Sequence, residues 1–416
     1  MEATRLVIDR ESPGRIRHAV LARMLGVAAA LITAAAAVTP AQAQDVTFGA
    51  QVRPRFEYRD PTPLDSRSFT SMRVRASLEA ALPEGVGVFV QIQDVRLWGS
   101  EGNTLGDFSA DNLDLHQGYL QLKTGEDDWF TGRAGRQRTR FGGERLVGWV
   151  NWTQQGRSFD GVRLVGEKDW GRVDLVGYQV EESAAAGHEE DGSFFGVHSA
   201  FSRVAGGTLD VYGFLNHVVG EDADTEQGTL GLRHVAAGER FRYRAEASYQ
   251  FGNRAGRDVA AFMLGARVAA SLGGKGWLTL WYDYLSGGAP DEAKAKVFDT
   301  LFATNHKFYG FGDLFLSIPR DTDGRGLQDL ALKAQYTGVP KLPIGLALHS
   351  FYVAESAGLD SGHLGEELDL TATYRYSPNF AVVGGFAYVF QAQGLADIGR
   401  LDKDMTWTYL MINVSF

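Results

Sequence analysis

Segments in which apolar and polar side chains alternate strictly recur along almost the whole chain, and they restrict its possible folds more than any other feature. In VTFGAQVRPRFEYR, the set Val46, Phe48, Ala50, Val52, Pro54, Phe56, Tyr58 is apolar, while Thr47, Gly49, Gln51, Arg53, Arg55, Glu57, Arg59 is polar or small. A period of two is that of an extended strand with two unlike faces, one suited to hydrocarbon and one to water. The pattern returns at Thr70–Leu82, at Phe241–Phe251, where Arg242, Arg244 and Glu246 take the polar face, and at Leu368–Tyr376. These runs are about 9 to 14 residues long, enough for a tilted strand to cross the hydrocarbon of a bilayer.

A soluble sandwich also alternates, so the connections have to decide. The pattern predicts about eighteen strands, near 46–59, 69–82, 86–98, 113–123, 129–138, 157–166, 170–181, 193–202, 207–217, 227–236, 240–252, 258–272, 276–286, 326–338, 343–354, 365–377, 379–391 and 405–416. Links after even-numbered strands are brief: PEG, TGEDD, GEKD, RVAGG, SLGGKG, TGVPKLP, SPN. Those after odd-numbered strands are mostly longer, up to roughly forty residues from Gly287 to Arg325. Short turns on one side and long loops on the other predict an all-β, transmembrane antiparallel β-barrel with short periplasmic turns and longer extracellular loops. Around Asp94–Val95 and His116–Gln117 the polar face changes sides, which predicts bulges or inward-folded backbone. The last strand, MTWTYLMINVSF, should pair with the first and close the barrel, leaving Trp407 and Tyr409 for an aromatic girdle. Its terminal Phe416 resembles the signal read by outer-membrane assembly machinery.

The amino-terminal segment is of another kind. Arg10, Arg15, Arg17 and Arg23 precede the apolar run Met24–Val38, and Ala41-Gln42-Ala43 forms an A-x-A site. This is the pattern of a signal peptide over residues 1–43, cleaved on export to a Gram-negative outer membrane. Its removal takes the formal net charge from -10 to about -12. Such acidity excludes general nucleic-acid binding. With 0 cysteines there is neither a disulfide framework nor a thiolate metal site, and no later apolar run is long enough for a helical span.

A barrel of about eighteen strands is too wide to be filled by its own side chains, so its polar face predicts what passes. That face is rich in arginine: Arg53, Arg55, Arg59, Arg73, Arg75, Arg133, Arg242, Arg244, Arg267, Arg375, with Lys333, Arg96 and Arg163. Guanidinium groups stay charged and bind carboxylates bidentately, so rows of them favour anions. Interleaved acids, Glu57, Glu79, Asp174, Glu246, Asp283 and Asp369, leave a wall-bracing role for each pair as the competing reading. The four arginines on the first two strands tip the balance for that wall: Arg53→Ala with Arg73→Ala should lower anion selectivity while sparing the fold.

Several segments together resemble the alginate export family of outer-membrane porins: LHQGYLQLK at Leu115, AGRQRTRFGGERLVG from Ala134, W-x-Q-Q-G-R-S-F-D-G-V-R-L from Trp152, FDTLFATNHKFYGFGDLFL from Phe298, GLQDLALKAQY from Gly326 and LGEELDLTATYRYSPNFAVVGGFAYVF from Leu364. The resemblance implies an 18-stranded barrel with an electropositive constriction that passes a linear polyuronate. It implicates Arg136 and Gln137, Arg145, Arg157, Asp160 and Arg163, and His306, Tyr309 and Asp313. For Asp160, Gly161, Phe308, Tyr309, Phe311 and Asp313, a loop-folding role stands beside a transport role.

The leading function is therefore an anion-selective channel for acidic saccharides, possessing no cofactor, contacting outer-membrane lipid and drawing on periplasmic secretion components as partners for export. Uptake of small organic or aromatic acids is the alternative, since direction follows gradients and partners. A barrel enzyme would need a nucleophile and base together near the membrane face, and His116, His198, His234, His306 and His349 have no Ser or Asp partner at motif spacing. DTDGRG, Asp321 to Gly326, lacks the later bidentate Glu of a calcium loop, and GGKG at Gly273 lacks the strand and helix of a P-loop. An adhesin would carry its information in the long loops and would not conduct.

Overall fold

The computed structural model describes residues 45–60, 67–99, 113–181, 192–219, 223–289 and 292–416. The predicted signal peptide lies outside them. Eighteen strands follow in chain order: β1 Asp45–Asp60, β2 Arg67–Ala81, β3 Val86–Leu97, β4 Leu113–Thr124, β5 Phe130–Gln137, β6 Phe159–Lys168, β7 Gly171–Glu181, β8 Gly192–Val204, β9 Gly207–Val218, β10 Thr225–Ala237, β11 Phe241–Arg254, β12 Arg257–Ser271, β13 Gly276–Leu285, β14 Leu327–Tyr336, β15 Ile344–Tyr352, β16 His363–Ser377, β17 Phe380–Gln391 and β18 Met405–Ser415. Each pairs antiparallel with its chain neighbours, and β1 pairs with β18 from Gln51↔Ser415 to Asp60↔Thr406, which closes the sheet into a barrel. Closure removes every edge whose N–H and C=O groups would otherwise be unpaired in hydrocarbon. Among the described residues no helix is long and apolar enough to cross a membrane, so the strands do the crossing.

The barrel is inside-out relative to a soluble protein. Phe48, Val52, Phe56, Leu230, Leu232 and Leu410 are exposed on the outer face, while Arg53, Arg73, Arg75, Gln250 and Asp283 are buried on the inner one. Exposed outer-face aromatics mark both rims: Trp129, Trp170, Phe241 and Tyr376 near the short turns, Trp98, Tyr352 and Phe390 near the long loops. Trp407 and Tyr409 do not belong to this girdle. They face the lumen in register with Arg59 and Glu57 and are buried there, because loop residues fill the space they look into. Tyr409 lies across Gly385, where any Cβ would fall 1.9 Å from its ring.

At His116 the expected bulge is present: Gln91 pairs with Gln117 and Ile92 with Leu115, so His116 is extruded from the ladder and buried. At Asp94–Val95 there is none. The β2–β3 register runs unbroken through Arg73↔Val95 and Met72↔Arg96, so Val95 faces inward and Asp94 and Arg96 face outward. One extracellular link is as short as a periplasmic turn: β11 and β12 are joined by Ala255-Gly256 with φ of 48° and 80°, the two-positive-φ hairpin geometry that matches strand twist.

Two long connections fold into the lumen. The 286–326 segment buries Phe298, Phe308, Tyr309, Phe315 and Ile318 against inward-facing Met263, Trp281, Leu285, Ala331, Phe351 and Val389. The 138–158 segment, called the strap below, crosses the lumen. The two are joined by a parallel bridge, Val147↔Phe302, and by Gly148 N–H donating to the Phe302 carbonyl at 2.8 Å. Arg157 donates to the carbonyls of Phe302 and Ala303, and its burial pulls its pKa down to about 10, which leaves it charged.

Candidate functional site

The strands bring Arg53, Arg55, Arg73 and Arg75 onto one inner wall, as alternation requires, with Arg53 directly opposite Arg73. Their guanidinium groups do not open onto the lumen. Five successive strap carbonyls point at them. Arg53 donates to Asn151 O (2.8 Å), Trp152 O (3.2 Å) and Thr153 O (2.7 Å), and Arg55 to Trp152 O (2.8 Å). Arg73 reaches Thr153 O and Gln154 O, both at 3.2 Å, and Arg75 reaches Gln155 O at 3.0 Å. The Gln154 side chain completes the dock by accepting from Arg53 Nε and donating to Ser71 Oγ. Arg73 is 0 % exposed. The wall is thus a cradle for a loop, and Glu57, 2.8 Å from Arg55 Nε, is its one carboxylate partner among the described residues. This differs from the expected substrate contact: the carbonyls take the positions a passing carboxylate would need.

Inward acidic side chains of β11, β13, β14 and β16 dock the rest of the plug. Arg145 of the strap is 1 % exposed and forks onto Asp283 at 2.6 and 3.0 Å, also donating to Tyr309 Oη at 2.7 Å. Burial opposes its charge, but Asp283, Tyr309 and Glu246 outweigh that and hold its pKa above the ordinary arginine value. Glu367 accepts the Gly312 N–H at 2.6 Å, and His349 sits 2.8 Å from Asp329. Among the described residues no cluster of His, Asp and Glu could hold a metal ion. Asp283→Ala would take the close carboxylate from a buried guanidinium, leaving it Glu246 at 3.8 Å and Tyr309, at a cost of up to about 3 to 5 kcal/mol. The expected result is a clear drop in the temperature at which the barrel unfolds on semi-native gels, with Asp283→Asn intermediate.

His306 and Asp313, both in the 286–326 segment, face each other at 2.5 Å, with Arg59 at 3.8 Å from Asp313. The His306 ring stacks on Trp152 of the strap at 4.2 Å between centroids, and Arg55 covers the same indole, also at 4.2 Å. These residues hold the two inward segments to each other and to β1. Arg55, Trp152 and Asp313 border a cavity of about 350 Å³ near the extracellular ends of β1–β3.

Open basic surface lies elsewhere, toward the periplasmic ends of the strands. A cavity of about 440 Å³ is lined by Arg133, Arg138, Arg140, Arg163 and Arg172, with Asp174 as its one carboxylate and Tyr119, Phe89 and Trp149 beside them. Asp174 is taken by Arg163 and Arg172, at 2.7 Å each. A second cavity of about 270 Å³ is lined by Arg233, Arg242, Arg244, Arg267 and Lys333, with Trp277 and Trp281 and no carboxylate. Arg242 lies 3.6 Å from the Trp277 ring centre, and Arg267 and Lys333 each lie 4.3 Å from that of Trp281. Such contacts add about 0.5 to 2 kcal/mol and fix flexible cations in place.

Of the residues expected on the lumen, Arg133, Arg163, Arg242, Arg244 and Arg267 line these cavities, and Arg375 is exposed at the inner, periplasmic end of β16. Arg96, Arg136 and Asp160 are corrections. Arg136 pairs in register with outward Gly118 and with Asp160, and the two form an outer-face ion pair at 2.5 Å. Arg96 is likewise outward and bonded to Asp94. Each of these residues stands within three residues of the extracellular end of its strand, where the lipid face meets polar headgroups. The reading of the sequence missed Arg138, Arg140, Arg172 and Arg233. The first two lie in a loop, where alternation assigns no face. The other two sit on the inner face of β7 and β10, and strict alternation from Asp174 and Thr229 would have found them.

The family model described as alginate export matches residues 44–392. Among curated proteins none matches the chain. Among solved structures, the outer membrane protein OprD from Pseudomonas aeruginosa is similar with a TM-score of 0.64 at 12% identity, covering 91% of this chain and 96% of its own. OccAB4 from Acinetobacter baumannii gives 0.64 at 12%, covering 91% and 100%. OpdO from Pseudomonas aeruginosa gives 0.62 at 17%, covering 90% and 98%. At these identities the likeness shows the fold, an outer-membrane porin-type barrel.

Proposed function

The chain belongs to the alginate export family, and from that premise we propose that it is an outer-membrane channel for acidic saccharides of the polyuronate type, delivered by a cleaved leader over residues 1–43. The observation that carries this reading is the pair of periplasmic cavities, lined by nine arginines and one lysine with Asp174 as the one lining carboxylate. Arg140, Arg172, Arg233 and Arg244 also pair with Glu144, Glu167, Asp210 and Glu246 behind the lining, which leaves the walls basic overall. Cation and aromatic side chains alternate there, and a uronate offers the matching chemistry: a carboxylate for the guanidinium groups and an apolar ring face for indole edges. Arginines stacked on tryptophan are held in place but half-solvated, so each contact stays weak enough for release.

A second reading, passage of small organic acids, is favoured by the way the strap and the 286–326 segment, bridged at Val147↔Phe302, narrow the lumen. Swelling of liposomes loaded with the purified barrel separates the two. Hexagalacturonate should enter faster than maltohexaose of the same length. Entry of galacturonate alone would favour the small-acid reading, and equal rates for charged and neutral sugars of every length would refute both.

A further inference from the structure

The strap carries part of the basic site on itself. Arg138 and Arg140, its first residues beyond β5, each stand 4.5 Å from the ring centre of Trp149, and all three line the larger periplasmic cavity. Further along, from Asn151 to Gln155, the same strap hangs on the β1–β2 cradle through backbone carbonyls, the side-chain amides of Asn151 and Gln154, and the Trp152 indole under Arg55, with no carboxylate of its own. Those are neutral partners, whereas a carboxylate brings opposite charge and accepts both prongs of a guanidinium fork. The cradle is also short of negative charge: Arg53, Arg55, Arg73 and Arg75 crowd together with one acid, Glu57. Arg138 is anchored close by, its backbone N–H on Gln117 Oε1 at 3.2 Å beside His116, which packs with Arg75 against Gly156. The arrangement holds like charges together with dipoles, and a bound polyanion would relieve it.

The segment free to move is well delimited. Backbone ties to Phe302 and Thr304 of the other inward segment end at Gly148. Beyond it that segment holds the strap only by a 3.4 Å bond from Val150 N–H to Thr304 Oγ1 and by the His306 ring on Trp152, while Gly156, at φ +68°, packs between Arg75 and His116. Trp149–Gly156 is therefore a short flap ending in glycine and preceded by one, docked at one end on Arg138 and Arg140, along its length on the cradle, and at Trp152 against His306, Trp407 and Tyr409.

Resting on the reading of the protein as an acidic-saccharide channel, we propose that Trp149–Gly156 is a ligand-displaced gate: a polyuronate engaging Arg138 and Arg140 draws them from Trp149, competes for the neighbouring cradle, and frees the flap from the wall. The ligand does this because it binds the undocked arrangement better than the docked one, which is the only way it can shift the equilibrium.

The chain has 0 cysteines, so a spin label on Gln155→Cys reports the flap uniquely. The Gln155 side chain is exposed and only its carbonyl serves the cradle. With the full-length barrel in detergent or liposomes, hexagalacturonate should raise the mobile fraction of the label severalfold and maltohexaose should not. R138Q/R140Q, with normal heat-modifiability as the check on folding, should lose that response. A label that stays immobile while hexagalacturonate blocks the current would overturn the gate and leave the channel reading standing. A label already mobile without ligand would overturn the gate as well. No effect on either label or current would remove the substrate reading, and the gate with it.

Discussion

Arg53→Ala combined with Arg73→Ala should enlarge the channel. The two side chains donate to strap carbonyls from Asn151 to Gln154 and to the Gln154 amide oxygen. Hydrogen bonds from a charged donor contribute about 1.5 to 3 kcal/mol each and do not simply add. Losing this set removes most of what fixes the flap to β1 and β2, while every ladder bond of the barrel remains. Single-channel conductance should therefore rise by about twofold or more, as expected when an inward loop leaves a water-filled lumen, with little change in the unfolding temperature. Lysine at both positions should restore the effect only in part, because an ammonium cannot reproduce the planar fork that spans neighbouring carbonyls. Unchanged conductance with reduced anion preference would mean that these arginines meet the permeating ion directly.

That outcome separates what alternation can reveal from what it cannot. The strands were legible because lipid on one side and polar contents on the other impose the same period over the whole length of each one; even the break at His116 showed as a phase shift. The inward direction of Arg133 or Arg242 follows from that period. The occupant of the cradle does not, since the groups facing Arg53 and Arg73 are backbone carbonyls, which every residue has. Arg96, Arg136 and Asp160 were misplaced for a different reason. Each forms an ion pair on the outer face near a strand end, where charge is tolerated, so their polarity mimicked the lumen. Trp407 and Tyr409 erred the other way: a lumen filled by Trp152 and His306 is locally apolar, and its lining resembles a lipid face. The motif residues Arg145, His306, Tyr309 and Asp313 pack the two inward segments together, so loop folding is the role that their contacts support.

The second large effect concerns the periplasmic cavities. Arg133, Arg242 and Arg267 project into them, are not buried, and form no ion pair among the described residues. Arg133 donates to Gln121 at 2.8 Å, and the other two lie over tryptophan rings. Their charge is therefore presented to the lumen, and their replacement should disturb the fold little. Substituting all three by glutamate changes the local charge by about six units in a low-dielectric vestibule, where rings of one sign set the selectivity of a pore. The triple variant should lose the anion preference and favour cations, while conductance changes less than in the cradle variant.

The wild-type barrel in a planar bilayer, under a gradient of potassium chloride at neutral pH, supplies the direct test of the basic lumen. The zero-current potential should carry the sign of chloride permeating faster than potassium, and should reverse in the Arg133, Arg242, Arg267 to Glu variant. A wild-type potential of zero or of cation-preferring sign would contradict the account.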